Sequence, residues 1–201
     1  MPWIDSVCVD EDIDHLEKRG QALLARDVYS QASRVVVWLG HCEYSELAIA
    51  QMKNLLSYNR KYVGTLANLS SPIRDPESIS GRALRRFLNP PWFKRVWAVQ
   101  PVGLAENVHL LWGGKYLDWG SLKLIITLLS DPQLLDSLND TADSNWIIAR
   151  VIRIRDELRG SKVMPLSDLL IFCSALQTSD LRDKVLALQG ISCSKSHLNL
   201  I

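Results

Sequence analysis

The chain has 201 residues, enough for one domain or one and a half, with 47% hydrophobic and 22% charged residues, ordinary values for a globular protein able to bury a sizeable core. Lys plus Arg is 23 against 22 for Asp plus Glu, a net charge of +1. That balance lacks the basic excess of a nucleic-acid binder driven by phosphate contacts.

The chain opens Met1-Pro2 and runs directly into Trp3-Ile4-Asp5-Ser6-Val7-Cys8-Val9, which reads as a short buried strand. Its start is acidic rather than basic and then apolar, so it does not have the form of a secretory signal. Asp10, Glu11 and Asp12 offer an N-cap and an acidic first turn. Apolar positions at Ile13, Leu16, Leu23, Leu24, Val28 and Ala32 keep helical spacing through Ser33, with Gly20 as a weak point. Val35-Val36-Val37-Trp38-Leu39, closed by Gly40, is the clearest strand and reads as buried on both faces, as in a parallel sheet covered by helices. Ser45 to Leu56 is a second amphipathic helix, and 57–81 is loop-like, with SSPIRDPES at its centre.

Arg82 to Leu88 reads as a short basic helix, stopped by Asn89-Pro90-Pro91. The stretch WFKRVWAVQP follows, an aromatic-rich helix interrupted by Pro101. Asn107 to Trp112 is a strand, Gly113-Gly114 a turn, and Tyr116 to Trp119 completes a hairpin. Helices are then expected over 119–130, 143–159, 165–176 and 180–189. Strands alternate with helices first and helices alone follow, which gives an α/β layer with a short parallel sheet and a mainly helical C-terminal part. The longest apolar run, Leu122 to Leu129, is too short to span a bilayer.

Cys8, Cys42, Cys173 and Cys193 share no CxxC spacing, and three of them lie in or beside apolar runs. They read as reduced thiols of a cytoplasmic protein rather than a disulfide framework. His15, His41, His109 and His197 form no metal-ligand spacing, so no metal site is expected. His41-Cys42, just after a strand, is the one pair with catalytic chemistry, set against the plainer reading of a loop histidine beside a buried cysteine. There is no GxGxxG, Walker A or GxSxG pattern. Arg82, Arg85, Arg86, Lys94 and Arg95 form one basic cluster, read as a solvated face before an anion site. Six of the seven tryptophans, Trp3, Trp38, Trp92, Trp97, Trp112 and Trp119, fall near element ends and read as core anchors with a polar edge.

Three blocks carry a resemblance. WIDSVCVDEDIDHLEKRGQALLARDVYSQASRVVVWLG resembles the fungal heterokaryon incompatibility (HET) domain, matching its W-I-D-x-x-C start, its Y-x-x-A helix end and its V-x-V-W-L-G strand at Trp3, Ile4, Asp5, Cys8, Tyr29, Ala32, Trp38, Leu39 and Gly40. RRFLNPPWFKRVWAVQPVGLAENVHLLWGG is similar to the family's R-P-W-F-x-R-V-W-x-x-Q-E segment at Trp92, Phe93, Arg95, Val96, Trp97 and Gln100. SDLRDKVLALQGIS is similar to its D-P-R-D-K-V-Y-A-L-L-G ending at Arg182, Asp183, Lys184, Val185, Ala187, Leu188 and Gly190. Asp183 would sit near a helix N-terminus, where its charge is favoured, and Arg95 is a candidate to fork to Asp5 or Asp183.

The resemblance implies a family member lacking the upstream S-Y-x-W-G strand, with residues 1–130 as the partial domain and 131–201 as its helical C-terminal part. An absent neighbour strand would leave a sheet edge exposed and favour self-association. The chain departs from the pattern at Asp10 and Glu11 (Asn and Gln in the family), at Leu186 (often Tyr) and at Pro101 (Glu). HET domains are similar to TIR domains, a likeness that implies a TIR-like or flavodoxin-like layer. Active TIR members cleave the nicotinamide–ribose bond of NAD⁺ with a glutamate that stabilises oxocarbenium charge. Pro101 has no carboxylate and weighs against catalysis of that kind, so no catalytic residue and no cofactor is assigned. Three function classes stand open: a catalytically inactive HET protein of nonself recognition and programmed cell death; an NAD⁺ glycohydrolase using another acid, with Glu106 the nearest downstream; and an interaction module that binds intact HET or death-fold partners. The expected partner is another protein, an intact HET-family member or a second copy, with no nucleic acid and no membrane span.

Overall fold

The computed structural model describes residues 3–8, 15–61, 77–130, 142–160 and 164–192. The acidic turn at Asp10–Asp12, Ile13, the SSPIRDPES segment up to Pro76, Cys193 and His197 lie outside these residues. In chain order come α1 (Asp5–Cys8), α2 (His15–Gln31), β1 (Val35–Trp38), α3 (Ser45–Lys61), α4 (Ile79–Leu88) and α5 (Pro91–Lys94). A 3-10 turn at Val96–Ala98 leads into α6 (Val99–Leu104). There follow β2 (Val108–Trp112), β3 (Lys115–Asp118), α7 (Trp119–Leu129), α8 (Ala142–Arg159), α9 (Leu166–Phe172) and α10 (Leu181–Gln189).

The three strands form one sheet in the order β1-β2-β3. β1 and β2 are parallel, with Val35 opposite Val108 and Trp38 opposite Leu111. β2 and β3 are an antiparallel hairpin, with His109 opposite Asp118 and Trp112 opposite Lys115. The hairpin turn uses positive φ at Gly113 (52°) and Gly114 (83°), a conformation glycine adopts without a Cβ penalty. The chain is thus an α/β fold with a parallel strand pair and a helical C-terminal part, as the alternation of elements leads one to expect.

Local chemistry sets the element ends. Ser78 caps α4 by accepting the Gly81 amide at 2.9 Å, and Asn89-Pro90-Pro91 closes it. Asp118 ends β3 and caps α7 through the Ser121 amide at 2.9 Å. Asp180 caps α10 through the Arg182 amide at 2.9 Å and also holds the Arg182 guanidinium at 2.8 Å.

Two clusters make up the core. The larger joins the sheet to α3, α4, α7 and α8 around Leu55, Leu84, Phe87, Phe93, Leu110 and Leu122. The smaller joins the 3-10 turn to α8, α9 and α10 around Val96, Ile154, Leu169 and Leu188. α8 serves both, with Val151 and Ile152 in the first and Ile154 in the second.

Several expectations are corrected. Residues 5–8 are a helical turn rather than a strand: the Ile4 carbonyl accepts the Cys8 amide at 2.9 Å, and Ile4, Val7 and Cys8 are exposed. Only Val37 of β1 is buried; Val36 and Trp38 point outward, 45% and 60% exposed, so the strand is covered on one face. The buried stripe of α2 is Ala22, Ala25 and Tyr29, whereas Leu23 and Leu24 are exposed. Small side chains let α2 approach α6 and α10 closely, and bulky leucines would hold it off. α3 continues to Lys61, five residues into the expected loop, α4 starts at Ile79, and α9 stops at Phe172. Pro101 neither ends a helix nor expels Gln100 from one. It lies in the first turn of α6, where its missing amide costs little.

Candidate functional site

Four of the motif residues, Trp97, Gln100, Asp183 and Gly190, meet where α2, the 3-10 turn with α6, and α10 come together. Trp97 is held by the turn, and its Nε1 donates to Asp183 Oδ2 at 3.3 Å. Asp183 stands in the first turn of α10, as expected for a carboxylate near a helix N-terminus, and is 2% exposed. Gln100, 1% exposed in α6, donates from Nε2 to the Ala22 carbonyl of α2 at 3.5 Å. Gly190 closes the knot: a Cβ there would lie 2.6 Å from Gln100 Nε2 and 3.5 Å from the Ala22 carbonyl oxygen. A glycine is required by close approach, since its φ of −63° suits any residue.

Trp3 packs edge-on against Tyr29, with ring centroids 5.4 Å apart. Burial, and then the charge of Asp5, raise the Tyr29 hydroxyl well above its ordinary pKa. Arg95 is bridged by backbone to Gln177, two residues before the third block: the Val96 amide donates to the Gln177 carbonyl at 3.0 Å, within a parallel bridge between Arg95 and Gln177. Phe93 is placed elsewhere, in the larger core against Trp92 and Trp119. Ile4 and Cys8 are exposed. Arg182 folds back onto Asp180 at the surface.

Trp38, Leu39 and Gly40 lie at the carboxyl end of β1, away from this knot and beside an open cleft of about 620 Å³. Gly40 turns the chain with φ +90°, and its carbonyl accepts the Gly113 amide at 3.0 Å. His41 and Cys42 line the cleft, and His41 packs edge-on to Trp38 at 5.8 Å. Arg85 and Arg86 line it too, so part of the basic cluster borders a cavity rather than an open face. Trp38, half of whose surface and more is in solvent, is no core anchor, in contrast to Trp112 and Trp119 at 4% and 7%.

Arg155 was not singled out by its sequence, yet it fixes α6. Its guanidinium donates to the carbonyls of Val102, Ala105 (2.7 Å) and Glu106 (2.8 Å), three acceptors at or just past the helix C-terminus. It also lies over the Trp119 ring at 5.8 Å. Burial lowers its pKa, and the negative end of the helix dipole favours the charge that remains. Its one sequence signal is an arginine set among Val151, Ile152 and Ile154, all buried.

Position 101 is buried, one residue from Gln100. Glu106 is exposed, beyond the Ala105 cap of α6, and does not take the place of an acid at 101. Among the described residues no group of three or more His, Cys, Asp or Glu is arranged to hold a metal ion. No described helix is long and apolar enough to cross a membrane.

A family model described as heterokaryon incompatibility protein (HET) matches residues 1–101, half of the chain. The chain belongs to the heterokaryon incompatibility (HET) family. Among curated proteins it is similar to heterokaryon incompatibility protein 6, OR allele, of Neurospora crassa, with 25% identity over 140 residues, 56% of this chain and 20% of the relative. The chain therefore spans about one fifth of the length of that curated relative. No solved structure matches.

Proposed function

We propose that this chain acts in fungal nonself recognition and programmed cell death as a HET module without catalysis of its own. Family membership supports the role. The observation that carries the non-catalytic part is Pro101, buried in the first turn of α6 where the family's W-x-x-Q-E pattern has its acid. The motif residues around it are engaged in holding three helices together: Trp97 on Asp183, and Gln100 on Ala22 and against Gly190. Such contacts build a scaffold, whereas a hydrolase also needs an acid or base facing its substrate.

The partner in this reading is another protein, an intact HET-family member or a second copy. Val36 and Trp38 support it as exposed apolar side chains on β1, whose one strand neighbour among the described residues is β2. Inducible expression of the chain in a filamentous fungus tests the role. Growth arrest is expected with the intact chain, and normal growth with a Trp97→Ala chain that loses the knot. Undiminished growth with abundant intact chain would overturn it.

A further inference from the structure

Trp146, on α8, keeps half of its surface in solvent. Its ring is not bare on both faces: the Arg150 guanidinium, one turn further along the helix, lies over it at 3.7 Å. One turn on again, Arg153 lies over the Phe172 ring of α9 at 5.0 Å. Arg153 is exposed, and Arg150 and Phe172 are half-buried. From α10, Lys184 donates through Nζ to the Ser174 carbonyl at 2.8 Å, just past the end of α9. Three cations from two helices therefore surround the C-terminal end of α9. The buried Cys173 thiol lies among them: burial raises its pKa, and the charges of Arg150 and Lys184 both act against that rise.

Elsewhere on the surface, cations stand in ion pairs, Lys115 on Glu46, Lys123 on Asp156 and Arg182 on Asp180. Arg150 and Arg153 have aromatic rings as partners instead, and no carboxylate among the described residues pairs with either. Asp168, one turn before Phe172, takes the Ser167 hydroxyl at 3.2 Å. A guanidinium held by its face is ordered in advance and keeps its N–H edge for a carboxylate. Arg150 is under-satisfied as well, since its Nη1 is buried without an acceptor. A carboxylate beside it would offset that deficit through its charge. Trp and Arg are also the residue types that dominate the energetics of protein interfaces.

We propose that the surface formed by Trp146, Arg150 and Arg153 of α8, with Lys184 of α10, docks an acidic segment of a partner protein, its carboxylates on the cations and an apolar side chain on Trp146. An acidic peptide fits this surface better than RNA does. One stacking face of each guanidinium is already taken by the chain's own rings, and a net charge of +1 supplies no basic excess for a phosphate backbone. The plainer role of these contacts is local: Trp146 and Arg150 form an i, i+4 pair that supports α8, and Lys184 complements the negative end of α9. That role predicts a change in stability and no binding. The surface lies on α8 to α10 rather than on β1, and its test reads binding rather than growth arrest.

Fluorescence anisotropy on the full native chain tests it, with a short labelled peptide that alternates Glu and Leu. Control peptides carry Gln for every Glu, or Gly for every Leu, and a labelled single-stranded RNA is the competing ligand. The Glu-Leu peptide is expected to bind with an affinity that falls as salt is raised, and the Gln peptide and the RNA are expected not to bind in the same range. Arg150→Gln, Arg153→Gln and Lys184→Gln should each weaken binding by about fivefold, the loss of one partly solvated ion pair. Trp146→Ala should weaken the Glu-Leu peptide more than the Glu-Gly peptide. Arg82→Gln removes an exposed cation from α4 and should leave binding unchanged, which separates this surface from net charge. Thermal unfolding of each variant shows that it is folded. No binding of the Glu-Leu peptide by the native chain would overturn the assignment. So would equal or tighter binding of the RNA, an equal loss in Arg82→Gln, or an affinity unchanged in both Arg150→Gln and Arg153→Gln.

Discussion

A methyl group at position 190 would lie 2.6 Å from Gln100 Nε2, and Gln100 is buried and tied to Ala22, so it has no easy way aside. Gly190→Ala is expected to destabilise the chain by about 1–3 kcal/mol, as overpacking does. In a Gln100→Ala background most of that penalty should vanish, because the clash is with one side chain; strictly additive urea-unfolding energies would contradict it. Trp97→Phe removes the donor to the buried Asp183 carboxylate and should cost about 1–3 kcal/mol in the same measurement. The resemblance singled out Trp97, Gln100, Asp183 and Gly190, but not which touches which. Their partners lie 86 and 78 residues away along the chain, and no local pattern encodes such a pairing.

Helix α6 is short, and its C-terminal carbonyls face the protein interior, so its stability rests on Arg155. Arg155→Met keeps the volume and removes three donors; a loss of about 2–4 kcal/mol is expected, with faster amide exchange in α6. Unchanged exchange there would show that α6 holds itself. At this scale the sequence was most legible where turn chemistry is strong. The capped starts of α7 and α10 and the Gly113-Gly114 hairpin follow from residues that act on their own neighbours. It was least legible where burial depends on distant packing. Val35-Val36-Val37-Trp38 satisfies a strand buried on one face or two, and only what packs on the second face decides between them; Val36 and Trp38 are exposed there. The same holds for α2, where Leu23 and Leu24 fit a helical stripe but Ala22 and Ala25 allow the close approach. The segment at 3–9 alternates too little to separate a strand from one helical turn, and Arg155 hides within an apolar stripe.

Across the whole molecule, alkaline pH should unfold the chain in a predictable window. Burial pushes the Cys173 thiol from 9.0 up to about 12, and burial followed by Asp5 raises the Tyr29 hydroxyl. Both groups are bound more tightly to their protons in the folded state. The Cys173 contribution is therefore complete below about pH 9 and is lost as pH rises toward about 12, and that of Tyr29 is lost at higher pH still. Cys173→Val should make the fall in stability over that window shallower; an identical slope would remove the thiol from the explanation. In the same fold, Cys8 should react with thiol reagents at neutral pH and Cys173 should not.

The division between a scaffold and an enzyme turns on position 101, and NAD⁺ consumption by the purified chain tests it most directly. No turnover above a protein-free control is expected from the native chain, and none from Glu106→Gln. Measurable turnover by the native chain, lost in Glu106→Gln, would contradict the non-catalytic reading and assign the missing acid to another residue.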